Sequence, residues 1–375
     1  MIDRNPQIRA IGPQAPSRRP ATRRRLVTPG GYSRLMTRRL WTLFTGVVLL
    51  AVLVTLAVVA PVRYVELVPG PTFNTLGTSG GTPVITISGA PTSSSAGQLR
   101  MLTVGEIDNM TAYDVVRGWF NHSAAVLPRE VLIPPGESQQ QLNQESTDQF
   151  KESQTSAVTV ALRQEGYPVL VTVTSVEAGK PAQGHLAAGD VVTSVNGKKV
   201  LSNDDLSAFI QAQPVGSTLQ IGYTRAGTAT QTAIKSVAGS DGKPQIGIAV
   251  TQNQPSPIKI SIKLQDVGGP SAGLMFTLGI IDKLDPADLT GGKIIAGTGT
   301  MDNDGDVGAI GGIPQKMIAA YRAGARYFLA PAANCAEALG SPVAGLKLIK
   351  VTNINDALTA LSDMRDGQQP PLCTK

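Results

Sequence analysis

Residues 268–273 read Gly-Gly-Pro-Ser-Ala-Gly, the most informative stretch in the C-terminal half of the chain. Two glycines and a proline favour a tight turn, and the mostly apolar run over 274–281 predicts a buried helix directly after it. Ser271 therefore lies at the mouth of a buried helix, where backbone amides are available to stabilise an oxyanion. We interpret Ser271 as a nucleophile; the alternative is a serine that only caps the helix.

A lysine 45 residues further on, Lys316, completes this hypothesis. Pro314 and Gly324 are typical of the first turn and the end of a helix. On that helix the neighbours of Lys316 are apolar: Ile313, Ala319 and Ala320. Desolvation there would lower the pKa of the lysine and make it a usable general base. The alternative is a lysine whose amino group extends to solvent.

Histidine usage favours a serine–lysine pair. The chain has two histidines, His122 and His185, and both precede the last 190 residues. A Ser-His-Asp triad is therefore poorly supplied with candidates, whereas serine with lysine is a known way of activating a nucleophile.

The stretch from about Ile246 to Ala360 resembles the proteolytic domain of Lon-type serine proteases. Three motifs occur in the order of that family: the 268–273 turn, Ala-Gly-Thr-Gly-Thr over 296–300, and Gly-Gly-Ile-x-x-Lys over 311–316. The resemblance implies that Ser271 is the nucleophile and Lys316 the base of a catalytic dyad. It also implies that Thr298 lies beside this dyad. The supporting residues of the turn are Gly269, Pro270 and Ala272.

The sequence departs from this family at two positions. Gly268 stands where many members have an acidic residue, and Thr300 stands where the family has a glutamate. Asp266 is the nearest upstream carboxylate, but it is out of register. The resemblance therefore carries over a dyad and no third, acidic member.

The N-terminal region predicts a membrane anchor. Residues 1–39 hold ten arginines, one aspartate and five prolines, a composition typical of a disordered tail. Residues 40–62 carry no charge and are long enough to cross a bilayer. The arginines directly before this run predict a cytoplasmic N-terminus and extracytoplasmic domains in a single-pass protein of the cell membrane. A cleaved signal peptide is the alternative, but Pro61 would block cleavage after Ala60.

The positive net charge of +6 belongs to this tail. Without residues 1–39 the chain has 23 basic and 26 acidic residues. A basic tail fits membrane orientation and anionic headgroups. No nucleic-acid-binding motif accompanies the arginines, so we expect no nucleic-acid partner.

Residues 166–238 predict a small β-rich module. A strand-like run ends near Val176, and Ala-Gly-Asp-x-Val-x-x-Val-Asn-Gly over 188–197 ends a second strand at an Asn-Gly turn. The module resembles a PDZ domain, which implies that an extended peptide adds a strand to its sheet. The resemblance places the carboxylate-binding loop at Gly166, Tyr167, Pro168 and Val169. A structural spacer is the alternative.

The remaining segments complete the plan of domains. Residues 64–165 contain strand candidates followed by a long helix, and we expect them to pack on the protease part, which covers 245–365 and is followed by a tail over 366–375. The PDZ module is then inserted between two pieces of one unit. The expected fold class is mixed, α+β and α/β, with a single N-terminal transmembrane helix, a β-rich PDZ module and a Lon-type proteolytic domain.

The two cysteines, Cys335 and Cys373, are candidates for a disulfide that ties the tail to the domain; unpaired thiols are the alternative. We expect no metal. The Asp-rich loop over 302–306 resembles the start of a calcium loop, but Ile313 occupies the position of its final glutamate, so we interpret it as a hairpin turn. No P-loop occurs in the sequence, so we expect no ATPase of the kind that full-length Lon enzymes carry. We expect no cofactor.

These observations predict a membrane-anchored, ATP-independent serine endopeptidase acting on extracytoplasmic proteins or peptides. Two alternatives remain: a catalytically idle PDZ scaffold that binds envelope proteins, and regulated self-cleavage that releases the ectodomain. The Lon resemblance also implies a homo-oligomer, a hexameric ring.

Overall fold

The computed structural model describes residues 31–134, 136–167, 169–254, 257–265 and 267–374. Part of the predicted tail, residues 1–30, lies outside this range, as do Pro168 and Asp266. The described helices, in chain order, are α1 (Gly31–Val59), α2 (Ala112–Trp119), α3 (Arg129–Leu132), α4 (Gln139–Gln164), α5 (Asn203–Gln211), α6 (Gly273–Leu284), α7 (Ile313–Arg322), α8 (Cys335–Gly340) and α9 (Ile354–Arg365).

The described strands are β1 (Tyr64–Asn74), β2 (Thr78–Ser79), β3 (Thr82–Pro83), β4 (Ile85–Ser88), β5 (Gln98–Ile107), β6 (Ala125–Pro128), β7 (Leu170–Val176), β8 (Val191–Val195), β9 (Lys198–Lys199), β10 (Thr218–Arg225), β11 (Thr228–Lys235), β12 (Val237–Ala238), β13 (Pro244–Gln245), β14 (Ile248–Asn253), β15 (Lys259–Ile262), β16 (Ile294–Gly297), β17 (Thr300–Met301), β18 (Val307–Gly308), β19 (Tyr327–Pro331) and β20 (Lys347–Val351). The chain divides into one unit that ends at Val59 and a second that begins at Ala60.

The first unit holds α1. Its 22 residues from Arg38 to Val59 are long and apolar enough to cross a membrane. The helix begins at Gly31, so the prediction that residues 31–39 belong to a disordered tail is corrected. No proline interrupts the sequence between Gly31 and Leu40, and nothing else there stops a helix from extending. The helix ends three residues before Val62, because Pro61 disfavours helical backbone at the residue before it.

The second unit is built around a mixed sheet with strand order β20-β19-β16-β5-β1-β6. Strands β20, β19, β16 and β5 are parallel neighbours, and β1 continues the sheet antiparallel to β5. Residues 64–128 and 294–351 therefore share one sheet. The segment before the PDZ module does more than pack on the protease part; it supplies three strands of its central sheet.

Helices α4 and α6 pack against each other beside this sheet. Helix α6 is buried from Gly273 to Asp282, as its uniformly apolar sequence predicts. Helix α4 starts with a capping box of Ser138 and Gln141 and buries its C-terminal residues 156–162. Phe150 of α4 and Phe276 of α6 meet edge to face, with ring centroids 5.8 Å apart. This packing fixes α4 against the start of α6.

The PDZ module is an antiparallel sheet of order β11-β10-β8-β7-β14 with its own apolar core. Strand β14 pairs with β7 along its whole length, from Ile248 opposite Val176 to Asn253 opposite Leu170. The sequence-based boundary assigned these residues to the protease part, which starts at 245. The correction has a physical reason: the partner of a strand lies far away in the sequence, so a local pattern does not show which sheet the strand joins.

The C-terminal tail extends the central sheet. Lys350 N–H donates to the Pro371 carbonyl and Cys373 N–H donates to the Leu348 carbonyl, at 3.0 and 2.9 Å. The tail thus runs along the outer edge of β20, which places Cys373 over the domain.

Candidate active site

The turn before α6 is held by α4. Gly269 has a left-handed φ of 80°, a conformation that a residue without Cβ adopts at no steric cost. Its N–H donates to the Ser146 carbonyl at 2.9 Å, and the Ser153 hydroxyl donates to the Pro270 carbonyl at 3.1 Å. A Cβ added at Gly268 would lie 2.3 Å from Ser146 Oγ. Helix α4 therefore occupies the space that an acidic side chain at 268 would need.

Ser271 does not cap α6. The N-cap residue of that helix is Ala272, which is buried and makes no side-chain capping bond. Gly273 follows, and a Cβ there would lie 2.7 Å from Met301 Cβ. The turn is thus pressed against the β17–β18 hairpin, and the Ser271 hydroxyl is left to interact with the lysine. The helix-cap alternative for Ser271 is not what the structure contains.

Lys316 lies in the first turns of α7, which begins after Gly312 and carries Pro314 in its first turn. Its side chain is only 3% exposed, so it does not extend to solvent. Nζ lies 2.9 Å from Ser271 Oγ and 3.2 Å from Thr298 Oγ1. Burial lowers the pKa of Lys316 to about 8, and the charge of Glu337 opposes this shift. The structure brings the predicted nucleophile and base into direct contact.

Thr298 joins the two residues. Its hydroxyl donates to the Ser271 carbonyl at 3.0 Å while its oxygen accepts from Lys316 Nζ. The Gly299 N–H donates to the same Ser271 carbonyl, also at 3.0 Å. The backbone of Ser271 is therefore fixed from the strand side, and that of the neighbouring turn is fixed by α4. The amides of Ser271 and Ala272 have no hydrogen-bond partner within the described part of the chain.

Replacing Lys316 by methionine should stabilise the folded protein, because the protonated amino group of Lys316 is buried in the protein interior. Below pH 8 the amine is protonated in both the folded and the unfolded state, so the folded state carries the full cost of burial. This cost disappears as the pH rises from about 8, the pKa in the folded state, to 10.5, the pKa in the unfolded state. The difference between the two pKa values corresponds to about 3 kcal/mol of folding free energy. Urea unfolding in detergent micelles should show K316M more stable than the parent at pH 7.

The control for this prediction is pH. The stability advantage of Lys316→Met should shrink as pH rises from 8 to 10.5, since the parent then gains stability and the variant does not. Lys293→Met, at a lysine that is more exposed, should change stability little at either pH. An advantage of K316M that is the same at all pH values would contradict the assignment of its origin to the buried charge.

The loop predicted to bind a peptide carboxylate has a different place. Gly166, Tyr167 and Val169 lie between α4 and β7, and the latter two pack against the core that α4 and α6 share. Strand β7, which follows, is paired on both sides, with β8 and with β14. No strand can be added to it, so the prediction of a groove at residues 166–169 is wrong.

The edge strand next to α5 is β14, which sequence reasoning missed. Gly247, with φ 79°, directly precedes it, and Gln252 accepts from the Asn203 N–H at the start of α5 at 2.8 Å. Among the described residues no strand pairs with its outer edge. A signal was present: Ile-Gly-Ile-Ala-Val over 246–250 has the glycine followed by apolar residues that is typical of a carboxylate loop and its strand.

The structure joins Cys335 and Cys373 in a disulfide, with their Cα atoms 5.3 Å apart. Asn334, next to Cys335, accepts from the Ile310 N–H and donates to the Ile310 carbonyl, both at 2.9 Å. Ile310 belongs to the loop directly before α7. The disulfide thus ties the tail to the segment that holds the loop in front of Lys316.

Comparison with known proteins agrees with the two resemblances. Residues 148–235 match the model of the PDZ domain, and residues 264–362 match that of the Lon protease (S16) C-terminal proteolytic domain. A Lon protease from Phenylobacterium zucineum (strain HLK1) is 39% identical over 102 residues, a match that spans 26% of this chain and 13% of the relative. The chain therefore covers a small part of that protein's length.

Solved structures similar to the chain include two PDZ domains of SdrC-like proteins. The domain from Listeria monocytogenes is 33% identical, with 21% of this chain and 85% of that chain covered and a TM-score of 0.21. The domain from Listeria innocua is 32% identical, with 23% and 97% covered and a TM-score of 0.22. The family matches confirm the predicted PDZ and Lon-type domains and the mixed α/β fold class.

Proposed function

We propose that the protein is a membrane-anchored, ATP-independent serine endopeptidase that uses Ser271 and Lys316 as a catalytic dyad outside the cytoplasm. The match to the Lon proteolytic domain supports a protease. The observation that carries the dyad is the 2.9 Å contact between Lys316 Nζ and Ser271 Oγ in a buried site. Lys316 comes from α7 and Ser271 from the turn before α6, so the tertiary fold brings the two side chains into contact.

In the proposed mechanism the neutral lysine is the general base. A pKa of about 8 leaves about one lysine in ten neutral at pH 7. Nζ takes the proton of Ser271 as Oγ attacks the scissile carbonyl carbon, and it returns this proton to the departing amine. Water then hydrolyses the acyl-enzyme with Lys316 again acting as base. Thr298 keeps Nζ and the backbone of Ser271 in place through both steps.

The oxyanion is assigned to the turn amides. The Gly269 N–H already binds the Ser146 carbonyl, so it is not available to a substrate. The amides of Ser271 and Ala272 stand at the start of α6, where the helix leaves N–H groups without intrahelical partners. These two donors are our candidates for binding the developing negative charge.

The substrate path is proposed to follow a groove that ends at the nucleophile turn. Residues Asn143, Thr147 and Phe150 of α4 line one wall, and residues 262–265 and 267–268 line the other. The groove is open and mostly polar in its lining residues, which suits an extended polypeptide whose backbone needs hydrogen-bond partners. Unfolded or exposed segments are therefore the proposed substrates, which fits the absence of a P-loop in the printed sequence.

A peptide segment of the substrate is proposed to bind at β14, by strand addition between this strand and α5. Ile248→Asp places a charge where Ile248 packs against the PDZ core, and we expect the KM for a protein substrate to rise roughly tenfold. Cleavage of a short peptide that occupies only the dyad should keep its kcat, which reports that the fold around the dyad is intact. Ala249→Asp, on an exposed neighbour of the same strand, is the matched control.

The proposed localisation rests on α1. Its apolar segment from Arg38 to Val59 spans a bilayer in length, and the arginines before it favour a cytoplasmic N-terminus. The test of the whole proposal uses full-length protein in detergent micelles and an unstructured protein such as casein. Cleavage without added nucleotide, unchanged by ATP and Mg²⁺, is expected. No cleavage, with no labelling of Ser271 by a fluorophosphonate, would favour the idle scaffold.

A further inference from the structure

Helix α2 exposes an unusual set of large apolar side chains. Tyr113, Val116 and Trp119 of α2 and its C-cap residue Phe120, together called the α2 face, are 56, 50, 67 and 79% exposed. Single exposed apolar residues are ordinary, but adjacent aromatic ones on a short helix mark an interaction surface. The α2 face is therefore a candidate interaction surface.

The geometry of the helix makes this face continuous. At about 100° per residue, the four side chains fall within about 120° of arc on one side of α2. The opposite side holds Val115 and Gly118, which are buried. A Cβ on Gly118 would lie 2.5 Å from Val126 Cγ2 in β6. Close packing therefore fixes the inner side of α2, and the α2 face cannot turn inward.

The N-terminal end of α2 is also fixed. Thr111 and Asp114 form a capping box, with the Asp114 carboxylate accepting from the Thr111 N–H at 3.0 Å. Asp114 has a pKa held below its usual range by these hydrogen bonds from Thr111. The helix is thus a rigid, capped element whose aromatic side is presented to the surroundings.

The position of α2 along the chain identifies what covers this face. Pro61 pairs with Thr111, the N-cap of α2, in a β-bridge, and the Val62 N–H donates to the Met110 carbonyl at 2.8 Å. Only Ala60 separates Pro61 from the end of α1. Two residues of extended chain span about 7 Å. The start of α2 is therefore bridged to Pro61, which a short stretch of chain joins to the last residue of the proposed membrane span.

We propose that the α2 face inserts into the boundary between lipid headgroups and acyl chains on the extracytoplasmic side, and so holds residues 60–374 against the membrane. Tryptophan and tyrosine favour this boundary because they combine an apolar ring with a polar group, and amphipathic helices lie in it with one side buried. The inference rests on the proposed membrane span of α1.

The charges around the helix specify the type of lipid. Arg117 lies beside the α2 face and pairs with Asp114 at 3.8 Å, and Arg63, directly after the proposed span, pairs with Glu130 at 3.9 Å. Glu106 lies in β5 and Asp108 directly follows this strand. Positive and negative groups are therefore mixed in the described part of this surface, and we expect no selection of anionic headgroups. Zwitterionic phosphatidylcholine should suffice for insertion.

The test uses the two tryptophans of the chain, Trp41 and Trp119. Full-length Trp41→Phe protein in phosphatidylcholine vesicles has Trp119 as its one fluorophore. Lipids brominated near the carbonyl end of the acyl chain should quench Trp119 strongly, lipids brominated near the chain terminus should quench it weakly, and its emission should lie at shorter wavelength than in detergent-free urea. Quenching of Trp119 should not depend on anionic lipid.

Trp119→Phe protein, which keeps Trp41 within α1, separates the two proposals. Quenching of Trp41 without quenching of Trp119 overturns the insertion of the α2 face and leaves the anchor standing. Quenching of neither overturns the membrane span and the insertion with it. Shielding of Trp119 from both brominated lipid and aqueous acrylamide overturns the lipid as occupant and indicates a second copy of the chain.

Matched substitutions complete the test. Val116→Ser in the α2 face and Val215→Ser in the PDZ module change the same residue at nearly equal exposure, 50 and 49%. In the Trp41→Phe background, V116S should reduce the quenching of Trp119, and V215S should leave it unchanged. Equal quenching in both variants would contradict a role for the α2 face. Both should retain cleavage of a short soluble peptide, which reports an intact fold.

Discussion

Ser271→Ala is expected to lower kcat/KM for an unstructured protein substrate by about 10⁴-fold or more, because it removes the atom that forms the acyl-enzyme. The protein should stay folded, since the Ser271 hydroxyl contacts only Lys316 in the described structure and the carbonyl that Thr298 and Gly299 bind is retained. Ser362→Ala, at another partly buried serine, is the control and should keep full activity. Persistent cleavage by S271A protein would contradict the proposed dyad.

Substitution of the lysine distinguishes a base from a mere positive charge. Lys316→Arg keeps the charge but cannot supply a neutral base, because the guanidinium stays protonated. We expect K316R to be as inactive as Lys316→Met. Thr298→Ser should retain much of the activity, since a hydroxyl can still bridge Nζ and the Ser271 carbonyl, whereas Thr298→Val should lose most of it. Substantial activity in K316R protein would contradict general-base catalysis by Lys316.

Removal of the disulfide between Cys335 and Cys373 is expected to lower the free energy of unfolding by about 4 kcal/mol. The bond closes a loop of 38 residues, and in the chain-entropy treatment a loop of this size constrains the unfolded state by that amount. Urea unfolding of the protein with and without dithiothreitol measures the loss. Both sulfurs lie in a buried apolar cluster, so the bond is protected and strong reducing conditions are needed.

The double variant Cys335→Ala/Cys373→Ala provides the control for the reductant. It should unfold at lower urea than the oxidised parent and should not respond to dithiothreitol. Because Asn334 fixes the Ile310 loop in front of α7, we also expect the reduced protein to lose activity at a lower temperature than the oxidised one. An oxidised parent that unfolds at the same urea concentration as its reduced form would contradict a stabilising bond.

The candidate dyad was predictable because its determinants are local. A turn with glycines and proline, an apolar helix after it and a lysine among apolar neighbours are all readable within a few residues. The structure places Ser271 and Lys316 in contact, and the family match supports the protease. The buried state of Lys316 follows from the same helical spacing, and with it the lowered pKa.

The proposed peptide-binding edge was harder to predict, although residues 246–250 carry a local signal for it. Residues 166–169 precede a strand of the PDZ sheet, but that strand is interior, and the edge is formed by β14 from beyond the module's expected end. Strand order depends on long-range pairing, which a local pattern does not encode. The contact of α4 with the nucleophile turn was missed for the same reason, since Ser146 and Ser153 look like ordinary polar helix residues.

The parallel pair of β5 and β16 has a consequence for biosynthesis. The strands before α4 are synthesised long before β16. Strand β5 therefore has no β16 to pair with while α4 and the PDZ module are being synthesised. The PDZ sheet pairs strands that are closer in sequence than β5 and β16 are. Its formation therefore costs less loop-closure entropy, and it should fold first. The central sheet closes late, and Ser271 and Lys316 come together only then. A nascent chain that does not yet contain β16 and α7 therefore lacks the proposed pair of Ser271 and Lys316.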